Sequence, residues 1–280
     1  MFGRLTHLEH LTKFAILYSL ILIFTGCSNV KNIRPEATTP NIQSSITVMT
    51  FNIRFGCGRE KLGEKTFAFL SKCTKKYDKI VAAIRSVDPD VVGLQEVNAH
   101  GASLIAKALN MNYAYSIHGT GYRWGNAVLT KFKLMKSKRI SIGGAGTGNR
   151  SMVSAIGLVN DKTVAFTSIH VDHKLPGNTS IKKILGYLNS ITEPAILIGD
   201  FNMVPGSSKA KMLLDGTGLI DSAAAGEFGH MGTWGGPYGK RIDYVFIQPK
   251  YFNVLDASLV ASEHQYASDH IAYYTVLDMK

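Results

Sequence analysis

A short apolar run that ends on two polar residues places the strongest constraint on the fold. The run from Ala195 to Ile198 indicates a buried strand, and Gly199, Asp200, Phe201 and Asn202 follow it. In α/β sheets, the carboxyl ends of buried strands are where ligands and catalytic groups lie. An aspartate there can take a proton or help to bind a cation, and an asparagine amide can hold a phosphate oxygen. The alternative is that Asp200 and Asn202 only shape a turn, because both residue types favour turns.

Several other predicted strands carry a polar side chain at one end. These side chains are Asn52 after the run from residue 46, Glu96 in 91–97, His170 after 163–169, Asp243 in 241–247, and Asp269 and His270 before 271–277. If they converge, their carboxylates cannot all ionise unless a charge compensates them. A hard divalent cation does so, and this oxygen-rich set suits Mg²⁺, Mn²⁺ or Ca²⁺ better than zinc. Taken singly, each residue has an ordinary structural interpretation as a turn former, a salt-bridged rim residue or a structural histidine.

The pattern of segments favours an antiparallel arrangement. Helices are predicted at 77–87, 102–109, 179–191 and 207–214, and further strands at 113–117, 125–130, 132–140, 152–159 and 257–260. Strands that follow one another through short turns favour antiparallel pairing over a doubly wound parallel sheet. The segments 141–151 and 215–240 are rich in glycine and are predicted to be loops.

The N-terminus has the pattern of an export signal. Arg4 and Lys13 precede an apolar run from residue 14 to 24, which is too short to span a bilayer comfortably but fits a signal-peptide core. The small residue and Cys27 that follow resemble a bacterial lipoprotein signal, which implies cleavage before Cys27 and a lipid on it. The alternative is an uncleaved anchor. Both predict that the rest of the chain lies outside the cytoplasm.

The domain organisation follows from this signal. Residues 1–26 are predicted to be the signal peptide, the polar and proline-containing segment 27–45 a flexible tether, and 46–280 a single catalytic domain. Export permits a disulfide between Cys57 and Cys73, although the sequence alone does not establish one. The net charge of +11 favours an anionic partner such as nucleic acid or phospholipid, or it serves solubility only.

Six short motifs carry a resemblance to a known group of enzymes. They are Thr50-Phe51-Asn52, Leu94-Gln95-Glu96, Ile169-His170-Val171-Asp172, Gly199-Asp200-Phe201-Asn202, Arg241-Ile242-Asp243-Tyr244 and Ser268-Asp269-His270. In this order, from about Ile46 to the C-terminus, they resemble the endonuclease/exonuclease/phosphatase superfamily. That superfamily includes deoxyribonuclease I, abasic-site endonucleases, neutral sphingomyelinases and inositol-polyphosphate 5-phosphatases. The resemblance implies a four-layer α/β-β/α sandwich, in which helices flank two packed, mostly antiparallel sheets.

The resemblance also implies roles for the polar residues. Glu96 would be the main metal ligand, with Asn52 and Asp269 nearby, and Mg²⁺ the expected ion. Asp200 would orient or deprotonate the attacking water, and Asn202 would hold a phosphate oxygen. His270, paired with Asp243, would stabilise the developing charge, and His170 would contact the phosphate. Arg150 would bind the substrate, as would Asn126, which lies in a strand that resembles one of the family.

Three departures from subfamily patterns narrow the substrate. Arg54 stands where abasic-site endonucleases usually have an acid, and His170 stands where they usually have a tyrosine. The motif of the inositol phosphatases is replaced by Gly239-Lys240-Arg241-Ile242-Asp243. We therefore expect a monomeric, lipid-anchored phosphodiesterase, with nucleic acid slightly preferred over phospholipid or a small phosphoester as substrate. The alternative from another class is a non-catalytic surface lipoprotein that binds anionic ligands.

Overall fold

The structure is a computed structural model that describes residues 45–58, 75–119, 123–143, 150–173, 178–225 and 231–280. The predicted signal peptide, nearly all of the predicted tether, Cys27 and Cys73 lie outside these ranges. So do residues 59–74. Cys57, which is described, is buried and disulfide-bonded.

The described residues form twelve strands and four α-helices. The strands are β1 Ser45–Asn52, β2 Val91–Val97, β3 Asn112–Ile117, β4 Gly125–Thr130, β5 Lys133–Gly143, β6 Arg150–Val159, β7 Lys162–His170, β8 Ala195–Asp200, β9 Ile220–Asp221, β10 Asp243–Ile247, β11 Phe252–Leu259 and β12 Tyr273–Met279. The helices are α1 Tyr77–Arg85, α2 Ala99–Leu109, α3 Thr179–Leu188 and α4 Ser208–Thr217. None of the helices in these ranges has the length and apolar character needed to cross a lipid bilayer.

The strands form two six-stranded sheets. The strand order is β11-β12-β1-β2-β4-β3 in the first sheet and β5-β6-β7-β8-β10-β9 in the second. Each sheet contains one parallel pair, β1–β2 in the first and β7–β8 in the second, and its other pairs are antiparallel. The parallel pairs follow from the connections, because α1 lies between β1 and β2, and α3 lies between β7 and β8.

The two sheets pack face to face through a core of buried aliphatic and aromatic side chains. Val91 of the first sheet and Phe166 and Ile198 of the second belong to this core. At Gly93 the sheets approach so closely that an added Cβ would lie 2.5 Å from Cγ2 of Ile198. The outer face of the first sheet packs on α1 and α2, and that of the second on α3 and α4. The predicted four-layer α/β-β/α sandwich is confirmed.

Hydrogen bonds also cross this interface between the sheets. Gln95 Nε2 donates to Ser168 Oγ at 3.1 Å, and that hydroxyl donates to the carbonyl oxygen of Leu94 at 3.0 Å. Gln95 and Ser168 are both fully buried. Because Gln95 is in β2 and Ser168 is in β7, the connection joins the two parallel pairs.

Element boundaries differ from the sequence predictions where a cap or a distant partner decides them. Helix α2 begins at Ala99, earlier than the predicted residue 102, because the Asn98 side chain accepts from Gly101 N at 2.6 Å and caps it. The predicted cap Ser207 does accept from Ala210 N. The predicted loop 215–240 contains β9, which exists only through its pairing with β10. The last edge strand, β11, lies at Phe252–Leu259 instead of 257–260.

Candidate active site

The predicted site residues converge because both parallel pairs end at the same edge of the sandwich. Asn52 ends β1, and Glu96 lies near the end of its parallel neighbour β2. In the second sheet, His170 and Asp200 are direct partners at the ends of β7 and β8, and Asp200 is also paired with Asp243 at the start of β10. This edge borders a cleft of about 730 Å³. Of the predicted site residues, the cleft is lined by Glu96, Arg150, His170, Asp200, Asn202, Asp269 and His270.

Asp200 lies at the centre of the polar contacts. Its Oδ2 accepts a hydrogen bond from Asn52 Nδ2 at 3.1 Å and lies 3.4 Å from His170 Nε2 and 3.9 Å from His270 Nε2. Its Oδ1 accepts from the backbone N–H of Asn202 at 2.9 Å. Burial, followed by the charge of Asp243, raises the pKa of Asp200 to about 7. A carboxylate with this pKa can accept a proton near neutral pH.

Asp243 and His270 form a buried ion pair. His270 Nδ1 donates to Asp243 Oδ2 at 2.8 Å, and the two side chains are almost fully buried. Burial by itself lowers the pKa of His270, but the charge and hydrogen bond of Asp243 outweigh it and raise the pKa to about 10. The ring is therefore an imidazolium at neutral pH, and its Nε2–H faces Asp200.

His170 is held as a neutral ring. Burial, followed by the charge of Arg150, lowers the pKa of His170 well below its usual value. Arg150 Nη1 lies 3.4 Å from His170 Nδ1, and a guanidinium can only donate, so Nδ1 accepts and the ring proton is on Nε2, facing Asp200. The Arg150 guanidinium also stacks on the Trp124 ring at 4.5 Å, which fixes its plane. His170 is thus a hydrogen-bond donor and Arg150 is the permanent cation beside it.

Glu96 reaches the cleft because β2 is irregular there. Its neighbours Gln95 and Val97 pair with consecutive residues of β4, so Glu96 is the extra residue of a bulge, with a φ of 53°. A left-handed φ on a glutamate is strained, and such strain is concentrated at functional sites. Burial, followed by the charge of Asp269, raises the pKa of Glu96. Two neighbouring carboxylates in this environment favour a bound cation.

Two groups of side chains offer metal ligands. In the first, Glu96 hydrogen-bonds with Asn52 and lies beside Asp269, which gives a set of oxygen donors that fits a hard divalent cation. In the second, ligand atoms of Asp200, Asp243 and His270 all lie within 4.8 Å of one another. His270 Nδ1 is already hydrogen-bonded to Asp243, and the charge of Asp243 raises the pKa of the ring, which disfavours the neutral form that a metal requires. The first group is therefore the better cation site.

Of the other predicted residues, Asn202 and Asp269 line the cleft, whereas Asn126 is buried and does not line it. Asn202 has a φ of 48° and its Nδ2 donates to the carbonyl of Val171 at 2.9 Å, which holds it at the cleft. Asn126 is fully buried behind the cleft wall, and its Nδ2 donates to the carbonyl of Ser151 at 2.6 Å. In this structure Asn126 supports the residue that follows Arg150, and its contact with substrate stays a prediction. Asp269 pairs with Arg54 at 3.5 Å.

Sequence reasoning missed two aromatic residues that lie beside His170 and one that lines the cleft. His118 is buried with its ring 6.1 Å from that of His170, and burial, followed by the charge of Arg150, lowers the pKa of His118 to about 3. Trp124 and Trp234 are far apart in the sequence, and neither belongs to one of the six motifs. Glycine content around Trp234 suggested only a loop. A large exposed aromatic residue in a glycine-rich loop is the one signal that identifies it.

Comparison with known proteins agrees with this geometry. The sequence profile of the endonuclease/exonuclease/phosphatase family matches residues 49–270, which include every predicted metal and catalytic residue. The chain belongs to the endonuclease/exonuclease/phosphatase family. The family acts hydrolytically on phosphoester bonds and is generally dependent on divalent metals. No curated protein matches the sequence significantly.

Solved structures share the fold of this family member at low sequence identity. An endonuclease/exonuclease/phosphatase from Beutenbergia cavernae is 20% identical with a TM-score of 0.66, over 84% of this chain and 72% of that one. A mannosyl-6-phosphatase from Bacteroides thetaiotaomicron is 20% identical with a TM-score of 0.61, over 83% and 99%. The human Nocturnin catalytic domain with bound sulfate is 20% identical with a TM-score of 0.64, over 84% and 94%.

Proposed function

We propose that this protein is a metal-dependent phosphodiesterase that cleaves its substrate by direct attack of water. The observation that carries this proposal is the environment of Asp200. A carboxylate with a pKa of about 7 lies between a neutral histidine, an imidazolium and an asparagine amide, at a cleft that also contains a permanent cation. Such an arrangement suits proton removal from water next to an anionic ester.

Asp200 is the general base in this proposal. Asn52 Nδ2 and the backbone N–H of Asn202 fix its two oxygens, so the carboxylate keeps one orientation while it takes the proton of the water. His170 directs its single N–H from Nε2 at Asp200 and stays neutral, so it orients the carboxylate without adding a charge. These contacts orient the base in advance, which is worth several orders of magnitude in rate when reacting groups are aligned.

His270 and Arg150 stabilise the charge that develops on the phosphoryl oxygens. The imidazolium of His270 is held by Asp243, and the guanidinium of Arg150 is held by Trp124. Glu96, Asp269 and Asn52 would hold Mg²⁺, which when bound neutralises phosphate charge and polarises a phosphoryl oxygen. Preorganised positive charge of this kind is commonly the largest contribution to catalysis.

The chain does not need a covalent intermediate. The one cysteine in the described ranges, Cys57, is buried and already disulfide-bonded, so it cannot act as a nucleophile. We further propose export and attachment to a membrane through a lipid on Cys27, on the basis of the N-terminal pattern. A basic chain outside the cytoplasm favours extracellular nucleic acid as the substrate, with phospholipid or a small phosphoester as the alternative.

The test is hydrolysis by the full-length protein with Mg²⁺, Mn²⁺ or Ca²⁺ against EDTA. Plasmid DNA, RNA, sphingomyelin and bis(4-nitrophenyl) phosphate are compared in parallel. We expect metal-dependent cleavage that is lost in Glu96→Ala and in Asp200→Asn, while both variants keep a thermal midpoint within a few degrees of the wild type in EDTA. An active Asp200→Asn enzyme would overturn the assignment of the base. Inactivity on every ester with every metal would favour the binding-protein alternative.

A further inference from the structure

An exposed tryptophan lines the cleft without any role in the proposed chemistry. Trp234 leaves 43% of its surface accessible, although large aromatic side chains are usually buried. An exposed indole that borders a cleft is typical of a binding surface, because it offers a large flat apolar face that water solvates poorly. The question is what chemical group this face receives.

The backbone that carries the indole is fixed relative to Asp243 and its partner His270. Trp234 and Lys240 exchange both backbone hydrogen bonds at 3.0 Å and so close a tight hairpin. Next to it, Thr233 Oγ1 accepts from the N–H groups of Ile242 and Asp243 at 3.1 Å each. The hairpin that carries the indole is therefore bonded directly to the backbone that carries Asp243.

The backbone register places three side chains in a row. Trp234 is bridged in antiparallel fashion both to Lys240 and to His270. Residues directly opposite each other in antiparallel pairs point to the same face, with Cβ atoms about 4.5–5.5 Å apart. Lys240, Trp234 and His270 thus lie side by side, and all three line the cleft. A substrate whose phosphate contacts His270 places its adjoining group against Trp234, and any further anion lies near Lys240.

The rest of the cleft lining distinguishes between the groups that could occupy this position. Apart from the site residues already described, the lining in the described ranges consists of the His173 imidazole and of cationic, hydroxyl and apolar groups, and contains neither a carboxylate nor an amide. Examples are Lys209, Ser207 and Val204. Polyhydroxylated sugars need acceptors for several hydroxyl protons. Beyond the carboxylates and the amide of the proposed reaction site, the side-chain acceptors of this lining are the hydroxyls of Ser207 and Ser208 and the ring of His173. A flat base with an attached phosphate needs a stacking face and cations, both of which are present.

We propose that Trp234 is the stacking platform for a nucleobase, which makes the leaving or retained group of the substrate a nucleotide. This inference rests on the proposed function, since it requires the phosphoester to be bound beside His270. Lys240 then contacts a neighbouring phosphate of the same nucleotide or strand. Trp234 is a specificity residue in this account, because it binds the substrate and does not contact the reacting atoms.

The experiment compares ligands that differ only in the base. Binding of adenosine 5′-monophosphate, ribose 5-phosphate and inorganic phosphate to the full-length Asp200→Asn protein with Mg²⁺ is measured by titration calorimetry. We expect the nucleotide to bind roughly 5- to 100-fold more tightly than ribose 5-phosphate, the range given by base–aromatic stacking. Adding Trp234→Ala should remove this preference, and adding Trp234→Phe should keep most of it, since phenylalanine retains a π-face.

Tyr238 provides the matched control. It lies in the same hairpin and is fully exposed, but it does not line the cleft, so Tyr238→Ala should change neither affinity. Equal affinity for the nucleotide and for ribose 5-phosphate, or an equal loss of both in Trp234→Ala, would overturn the inference. Hydrolysis of bis(4-nitrophenyl) phosphate by the wild type reports on the proposed function separately. An active enzyme without a base preference would reject the nucleobase platform alone.

Discussion

The Asp243–His270 pair makes a prediction about stability that can be worked from the structure. A rise in the His270 pKa from 6.5 to about 10 corresponds to about 4 kcal/mol of folding free energy at pH 7. Because the pKa is raised, this contribution is complete below pH 6.5 and is lost as the pH rises through about 10. Asp243→Asn removes the charge but keeps an oxygen that can accept from Nδ1. Asp200 and Asp269 also still raise the pKa, so we expect a loss of about 2–4 kcal/mol at pH 7.

The assay is urea unfolding of wild type and Asp243→Asn in EDTA at pH 7 and pH 10.5. The difference between the two proteins should shrink to below about 1 kcal/mol at pH 10.5, where the wild-type ring is largely neutral. Asp221→Asn is the control, because it breaks the buried pair with Arg241, whose guanidinium stays charged at both pH values. Its deficit should not depend on pH. A deficit of Asp243→Asn that is the same at both pH values would refute the imidazolium–carboxylate assignment.

Three further predictions concern the cation site and the packing of the sheets. Glu96→Gln should unfold at a higher temperature than the wild type in EDTA at pH 7, because it removes a carboxylate whose pKa is raised by burial and by Asp269. Excess Mg²⁺ should stabilise only the wild type, by about 2.7 kcal/mol at a hundred times Kd. Arg54→Ala should bind Mg²⁺ about two- to fivefold more tightly in calorimetry, because it frees Asp269 from a partly buried ion pair. Gly93→Ala should lose about 1–3 kcal/mol in urea unfolding, because its Cβ would meet Ile198.

For each of these variants, a specific result would contradict the reasoning. Equal stabilisation of Glu96→Gln and wild type by Mg²⁺ would place the cation elsewhere in the cleft. Weaker Mg²⁺ binding by Arg54→Ala would mean that the guanidinium orients its partner carboxylate for the metal, instead of competing with it. Wild-type stability of Gly93→Ala would show that the sheets can separate slightly at no cost.

The polar residues at strand ends were predictable from the sequence because strand periodicity is local. The apolar runs that lead to Asn52, His170 and Asp200 mark both the strand and the place where it ends. Two parallel pairs within otherwise antiparallel sheets then bring these ends to one edge, as the resemblance to the family implied. The four-layer architecture was predicted from the resemblance of the motifs to the family and not from periodicity.

The walls of the site depend on contacts that no local pattern encodes. His118 and Trp124 come beside His170 only when the two sheets pack, and the neutral state of His118 is a result of burial and of the charge of Arg150. The bulge at Glu96 depends on the register between β2 and β4. The position of Trp234 depends on two isolated bridges formed by a glycine-rich segment. The periodicity of a sequence does not reveal which residues pair when they are far apart in the chain.

The hydrogen bonds from Gln95 to Ser168 and from Ser168 to Leu94 have a consequence for the distance between the two halves of the site. The predicted metal ligands Asn52 and Glu96 belong to one sheet, and the base Asp200 belongs to the other. Apolar contact between sheets is non-directional, so it specifies the position of one sheet over the other less sharply than a buried hydrogen bond does. The buried hydrogen bonds are directional. They fix the position of one sheet over the other at Gln95, which is next to Glu96. Together with the hydrogen bond from Asn52 to Asp200, they fix the distance between the residues that would hold a metal and the proposed base.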